Sequence, residues 1–117
     1  MLPNDGDLSL PLSLACPIEW TDYNGHMNVA YYARAFDIAS AAFLSSTESP
    51  AAPLTLLRSR IDYRREVLEG AELRFDIRIL PSAPDSGPHL AIFMMARPEN
   101  GAESYLAAVE QREFRRP

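Results

Sequence analysis

The chain has 117 residues, 47% hydrophobic and 23% charged, with a formal net charge of -5 and a pI near 4.9. That length implies one domain with a modest core that oligomerisation would help to cover, and the acidic balance argues against nucleic acid as a partner. The single Cys16 excludes an intramolecular disulfide framework, fits a reducing compartment and reads as a small buried apolar residue. No charged leader with an apolar core opens the chain, and no apolar run is long enough to span a bilayer. A cytoplasmic protein without a membrane partner is expected.

Residues 1–7, with Pro3 and Gly6, read as a loose polar segment ahead of one domain over residues 8–117. Leu10, Leu12 and Leu14 alternate with polar or small residues, and Ile18 and Trp20 resume the alternation beyond Pro17. This pattern predicts a first strand over 8–20 interrupted at the proline. After the polar turn 21–26, Val29, Ala33, Phe36, Ser40 and Phe43, joined by Tyr32 and Ala39, form one stripe of a helix over 28–44. Its small residues let it lie close against a sheet, and Asn28 is its N-cap. The Ser-, Ala- and Pro-rich stretch 45–53 ends it.

Strands fill the rest. Leu57, Ser59, Ile61 and Tyr63 alternate with Arg58, Arg60, Asp62 and Arg64; Leu73, Phe75, Ile77 and Ile79 alternate with Glu72, Arg74, Asp76 and Arg78. With the turn at Glu69-Gly70 between them, these two strands read as a hairpin. Residues 81–88 are a loop, and His89 to Ala96 is apolar enough for a central strand, with Met94 and Met95 in the core. Asn100-Gly101 is a hairpin turn, and Ser104 to Phe114 is the last strand. One strand, one long helix and four antiparallel strands predict an α+β domain, its helix wrapped by a curved antiparallel sheet of about five strands.

The most informative stretch is Asp22-Tyr23-Asn24-Gly25-His26-Met27-Asn28, which places a carboxylate, amides and an imidazole at the turn into the helix. Asp22 can serve as nucleophile or general base, and the unpaired backbone donors of a helix N-terminus can stabilise a developing oxyanion. The N–H groups near Gly25 to Met27 are the expected donors. His26 can donate to a carbonyl, orient Asp22 or protonate a departing thiolate. The competing reading is that Asp22 and Asn24 form Asx-turns and His26 satisfies a loop carbonyl.

The run from Ile18 to Tyr32, and later Ile61-Asp62-Tyr63-Arg64-Arg65-Glu66 with Gly70, resemble hotdog-fold acyl-CoA thioesterases of the 4-hydroxybenzoyl-CoA thioesterase-like group. Within that group the chain is most similar to domains that hydrolyse betainyl-CoA. The resemblance implies the hotdog fold, with catalysis by Asp22, Asn24 and His26. Asp22 matches an aspartate nucleophile or base, and Asn24 and His26 match the Asn-x-His pair of plant acyl-carrier-protein thioesterases. Those plant enzymes carry a second Asn where Val29 stands, so which of the three does the chemistry stays open. The resemblance also implies two or four copies of the chain, with active sites at an edge-to-edge junction of two sheets.

Gly25, Met27, Asn28, Tyr31 and Tyr32 are expected to border the substrate, with packing in the helix's first turns the competing reading for the two tyrosines. Arg64 and Arg65, with Arg58 and Arg60, are candidates for the phosphates of coenzyme A, which enters as part of the substrate and not as a cofactor. Alternation with Asp62 and Glu66 makes a solvated face of ion pairs the competing reading for these arginines. His89 reads as structural or exposed. No cysteine, histidine or acidic cluster has metal-ligand spacing, so no metal is expected. Three functions stay in view: hydrolysis of a small acyl-CoA, a hydratase of the same fold, and a noncatalytic acyl-CoA-binding module. Asn24-Gly25-His26 lacks the proline and extra residue that the hydratase motif places before its histidine.

Overall fold

The computed structural model describes residues 7–47 and 54–117. β1 spans Asp7–Ala15, α1 Val29–Thr47, β2 Thr55–Tyr63, β3 Glu72–Leu80, β4 His89–Arg97 and β5 Tyr105–Arg115. The strands form one antiparallel sheet in the order β1-β3-β4-β5-β2, curled around the single long helix as in hotdog folds. Of the expected loose segment 1–7, Asp7 already belongs to β1, and residues 1–6 lie outside the described residues.

Two sequence expectations fail here. Ile18–Trp20 does not continue β1 but forms a 3-10 turn, closed by Trp20 N–H to the carbonyl of Pro17 at 3.0 Å. Nor do β2 and β3 form a hairpin. β3 lies between β1 and β4, while β2 pairs with β5 at the opposite edge, Ile61 facing Glu110 and Tyr63 facing Ala108. Alternation within each strand sets the faces correctly but carries no information about partners, which depend on how the sheet closes around the helix. The turn at Gly70 is real. Its φ of +82° favours glycine, and the Glu99 carboxylate packs close over the position a Cβ would take.

The helix starts where Asn28 caps it, the side-chain Oδ1 accepting Ala30 N–H at 3.0 Å. Its buried stripe is Tyr32, Ala35, Phe36, Ala39, Ser40 and Phe43, whereas Val29 and Ala33, expected on that stripe, are exposed. The helix continues through Thr47, three residues beyond its expected end, and the rest of the expected terminating stretch, 48–53, lies outside the described residues. Below it, Leu73, Phe75 and Ile77 of β3 and Leu90, Ile92 and Met94 of β4 are fully buried, so β4 is the central strand; Met95, on the other face, is only half-buried. Phe36 meets Phe75 edge to face with ring centroids 6.2 Å apart. Phe36→Ala should therefore cost about 3–5 kcal/mol, measured as a lower midpoint in denaturant unfolding.

Candidate active site

Asp22 organises the turn. Thr21 and Met27 pair across it, Asp22 N–H donates to the His26 carbonyl at 2.8 Å, and Gly25 N–H donates to the Asp22 carbonyl at 3.0 Å. The Asp22 carboxylate accepts Asn24 N–H at 2.9 Å and His26 N–H at 3.2 Å, both on Oδ1, which leaves Oδ2 out of either bond. Gly25 sits at φ +76°, and its carbonyl accepts Glu69 N–H at 2.9 Å, tying the turn to the β2–β3 connection.

This hydrogen bonding corrects the expected oxyanion site. Gly25 N–H and His26 N–H are used inside the turn, and Met27 N–H donates to the Val67 carbonyl at 2.6 Å. Asn28 N–H goes to Trp20, Ala30 N–H to the Asn28 side chain and Tyr31 N–H to the Asn28 carbonyl. Val29 N–H, the first of α1, finds no acceptor among the described residues, and it lies at the positive end of the helix. The N–H left without an acceptor among the described residues thus belongs to Val29, just beyond the Gly25 to Met27 stretch that the sequence suggests.

Val29 borders a cleft of about 420 Å³ with Asp22, His26, Met27, Asn28, Tyr32, Tyr63, Arg64, Arg65 and Glu66. Among the expected site residues, the fold therefore gathers Asp22, His26, Met27, Asn28, Tyr32, Arg64 and Arg65 around one space. Asn24, Gly25 and Tyr31 do not line it. Asn24 is exposed on the turn, Gly25 shapes the backbone, and Tyr31 stacks on Trp20 with ring centroids 5.4 Å apart.

Sequence reasoning put Tyr63 on the alternating face of its strand and Glu66 among solvated ion pairs, and named neither as a site residue. Glu66 Oε2 lies 3.4 Å from His26 Nε2 across the cleft, and Tyr63 packs edge to face on Tyr32 at 5.2 Å. Both pairs join residues about thirty or forty positions apart, a distance no local pattern reports. The Glu66 segment is held firmly: its carbonyl accepts the Tyr105 hydroxyl at 2.6 Å, and Val67 N–H donates to the Tyr32 hydroxyl at 3.2 Å. Arg65 lies over the Tyr105 ring at 3.9 Å, and Arg64 pairs with Asp62 at 3.1 Å. Among the described residues no group of three His, Cys, Asp or Glu side chains is arranged to hold a metal.

Burial raises the Tyr32 hydroxyl above its ordinary pKa of 10.0, against the opposing pull of the Val67 hydrogen bond, and also raises Tyr105. Burial, with the nearby Glu69 charge, raises the Cys16 thiol above 9.0. Each group holds its proton more tightly folded than unfolded, so its contribution is intact below pH 9 and is lost as pH climbs through the folded values. Thermal melts followed by circular dichroism should give a lower Tm from pH 9 upward, with no such loss from these groups between pH 7 and 8.

The model of a family described as the thioesterase-like superfamily matches residues 16–113. Among solved structures, the 4-hydroxybenzoyl-CoA thioesterase of Pseudomonas sp. strain CBS-3 superposes with a TM-score of 0.79. It is 11% identical, over 94% of this chain and 84% of that one. A hexameric thioesterase of Yersinia pestis superposes with a TM-score of 0.75 at 14% identity, over 89% and 83% of the two chains. A Staphylococcus aureus protein solved in complex with CoA gives 0.72 at 20% identity, over 99% and 72%. No curated protein matches the chain.

Proposed function

Because the chain belongs to the thioesterase-like superfamily, we propose that it hydrolyses the thioester of a small acyl-CoA to the free acid and coenzyme A. The observation that carries this reading is the cleft itself, bordered by both Asp22 and Val29, whose N–H has no acceptor among the described residues. Thioester hydrolysis needs a nucleophile at the carbonyl carbon and a donor for the oxygen that becomes negative. Asp22 supplies the first through Oδ2, either by direct attack or by taking a proton from water. Val29 N–H supplies the second, with the helix dipole behind it.

His26 is oriented by Glu66 and assists at the cleft wall, and Asn24 keeps the turn in register through its N–H bond to Asp22. Arg64 and Arg65, which border the cleft, take the phosphates of coenzyme A. The cysteine content fits a cytoplasmic location. No helix among the described residues is long and apolar enough to cross a membrane.

The working unit in this reading is a homodimer or a tetramer. β2 is an edge strand that exposes Leu56, Leu57 and Tyr63, and Tyr63 borders the cleft, so a second copy paired along β2 would roof the site. Light scattering at micromolar concentration should give at least twice the 13.1 kDa chain mass. A monomer there would count against this arrangement. The function is tested by release of free CoA thiol from a panel of short acyl-CoA esters, betainyl-CoA included. Turnover abolished by Asp22→Asn supports it, whereas saturable binding without release points to a noncatalytic module.

A further inference from the structure

Resting on the thioesterase reading, we infer that the acyl group leaves the cleft along the exposed side of α1, beside β2, and ends at a polar wall selecting hydrogen-bond-donating tails. From the cleft, Val29, Ala33 and Asp37 succeed one another at four-residue steps on the exposed side of α1. Tyr63, Ile61 and Ser59 follow on one face of β2, and that face is the helix side because Tyr63 packs on Tyr32. Both rows lead away from Asp22 and converge on one ionic network. The Ser59 hydroxyl donates to Glu110 Oε2 at 2.7 Å, Arg112 Nε donates to Glu110 Oε1, and Arg112 Nη2 donates to Asp37 Oδ1.

The members of this network differ sharply in exposure. The side chains of Glu110 and Arg112 are 1% and 8% exposed, whereas that of Asp37 is 56% exposed and Ser59 is also open. The network's cation is therefore sealed in, and what stays exposed at the end of the two rows is a carboxylate and a hydroxyl oxygen whose own hydrogen is already committed. Both present acceptors only. One positive charge against two negative ones leaves a local balance of minus one. A tail ending in hydroxyl or ammonium finds partners there, an alkyl tail strands them, and a carboxylate tail is repelled.

Position sets the length. Eight residues at 1.5 Å each put Asp37 about 12 Å beyond Val29, and its side chain leans back toward the helix N-terminus, so about six to eight carbons reach it. Up to that point each methylene laid on the apolar lining should raise kcat/KM about fourfold. Past it the gain disappears.

The test measures kcat/KM by thiol release for acetyl-CoA and four eight-carbon esters, octanoyl, 8-hydroxyoctanoyl, 8-aminooctanoyl and 7-carboxyheptanoyl. The hydroxyl and ammonium esters should exceed octanoyl by about tenfold, and the carboxylate ester should fall below it. Asp37→Leu should remove that order and favour octanoyl. Asp37→Asn, which keeps an acceptor for Arg112 if the leucine variant fails to fold, should raise the carboxylate ester relative to the ammonium one. Hydrolysis of acetyl-CoA with a flat or octanoyl-led series, or an order unmoved by both variants, overturns the polar wall and leaves the thioesterase reading standing. Absence of thiol release from all five esters and from the short-ester panel, betainyl-CoA included, defeats both.

Discussion

Asp22→Asn is expected to fold as the parent does and to lose about a hundredfold or more in kcat on any accepted acyl-CoA, with a smaller change in KM. The structure makes the substitution clean. Asp22 holds its turn with Oδ1 alone, accepting the N–H groups of Asn24 and His26, and an asparagine carbonyl can accept the same two bonds. What the amide cannot do is attack a carbonyl carbon or take a proton from water. His26→Ala should cost less, because the backbone of His26 makes both bonds to Asp22 and survives the change. Circular dichroism and oligomer size should match the parent in each variant. If Asp22→Asn turns over at nearly the parental rate while Asn24 or His26 variants lose activity, the chemistry belongs to the Asn-His pair.

Val29→Pro should lower kcat by about a hundredfold to a thousandfold while leaving stability within about 1 kcal/mol of the parent. Proline lacks the N–H, and the first helical position is where that loss is tolerated, since this group has no partner within the helix. The side chain is 63% exposed, so little packing is lost, and an N-cap residue such as Asn28 ordinarily takes the extended backbone that proline requires before it. Rate and stability are thereby separated in one variant. A folded Val29→Pro enzyme with full turnover would remove Val29 N–H from the mechanism.

Local pattern was a sound guide wherever one neighbour decides the outcome. The alternation of Leu73, Phe75 and Ile77 marked the buried face of β3, Asn28 marked the helix start, and the clustering of Asp22, Asn24 and His26 marked the turn where the cleft lies. It misjudged Ile18–Trp20, because alternating apolar residues beside a proline fit a 3-10 turn as well as a strand. It also put Val29 and Ala33 on the buried stripe, since periodicity gives a stripe's width only to within a residue or two and the sheet decides which edge of it is covered.

The sequence by itself determined the α+β order of elements, one helix on one sheet, and the chemical groups at the turn, because these depend on residue type and short-range spacing. Only the tertiary structure decided that β2 leaves β3 for β5, that Glu66 crosses about forty residues to meet His26, and that Arg112 reaches Asp37. It decided, too, that Val29 N–H is left without an acceptor among the described residues, whereas Val67 claims Met27 N–H and the turn itself claims those of Gly25 and His26. The physical reason is the same throughout. Each of these outcomes is a competition for partners among groups distant in the chain, and closure of the sheet around the helix settles which groups meet.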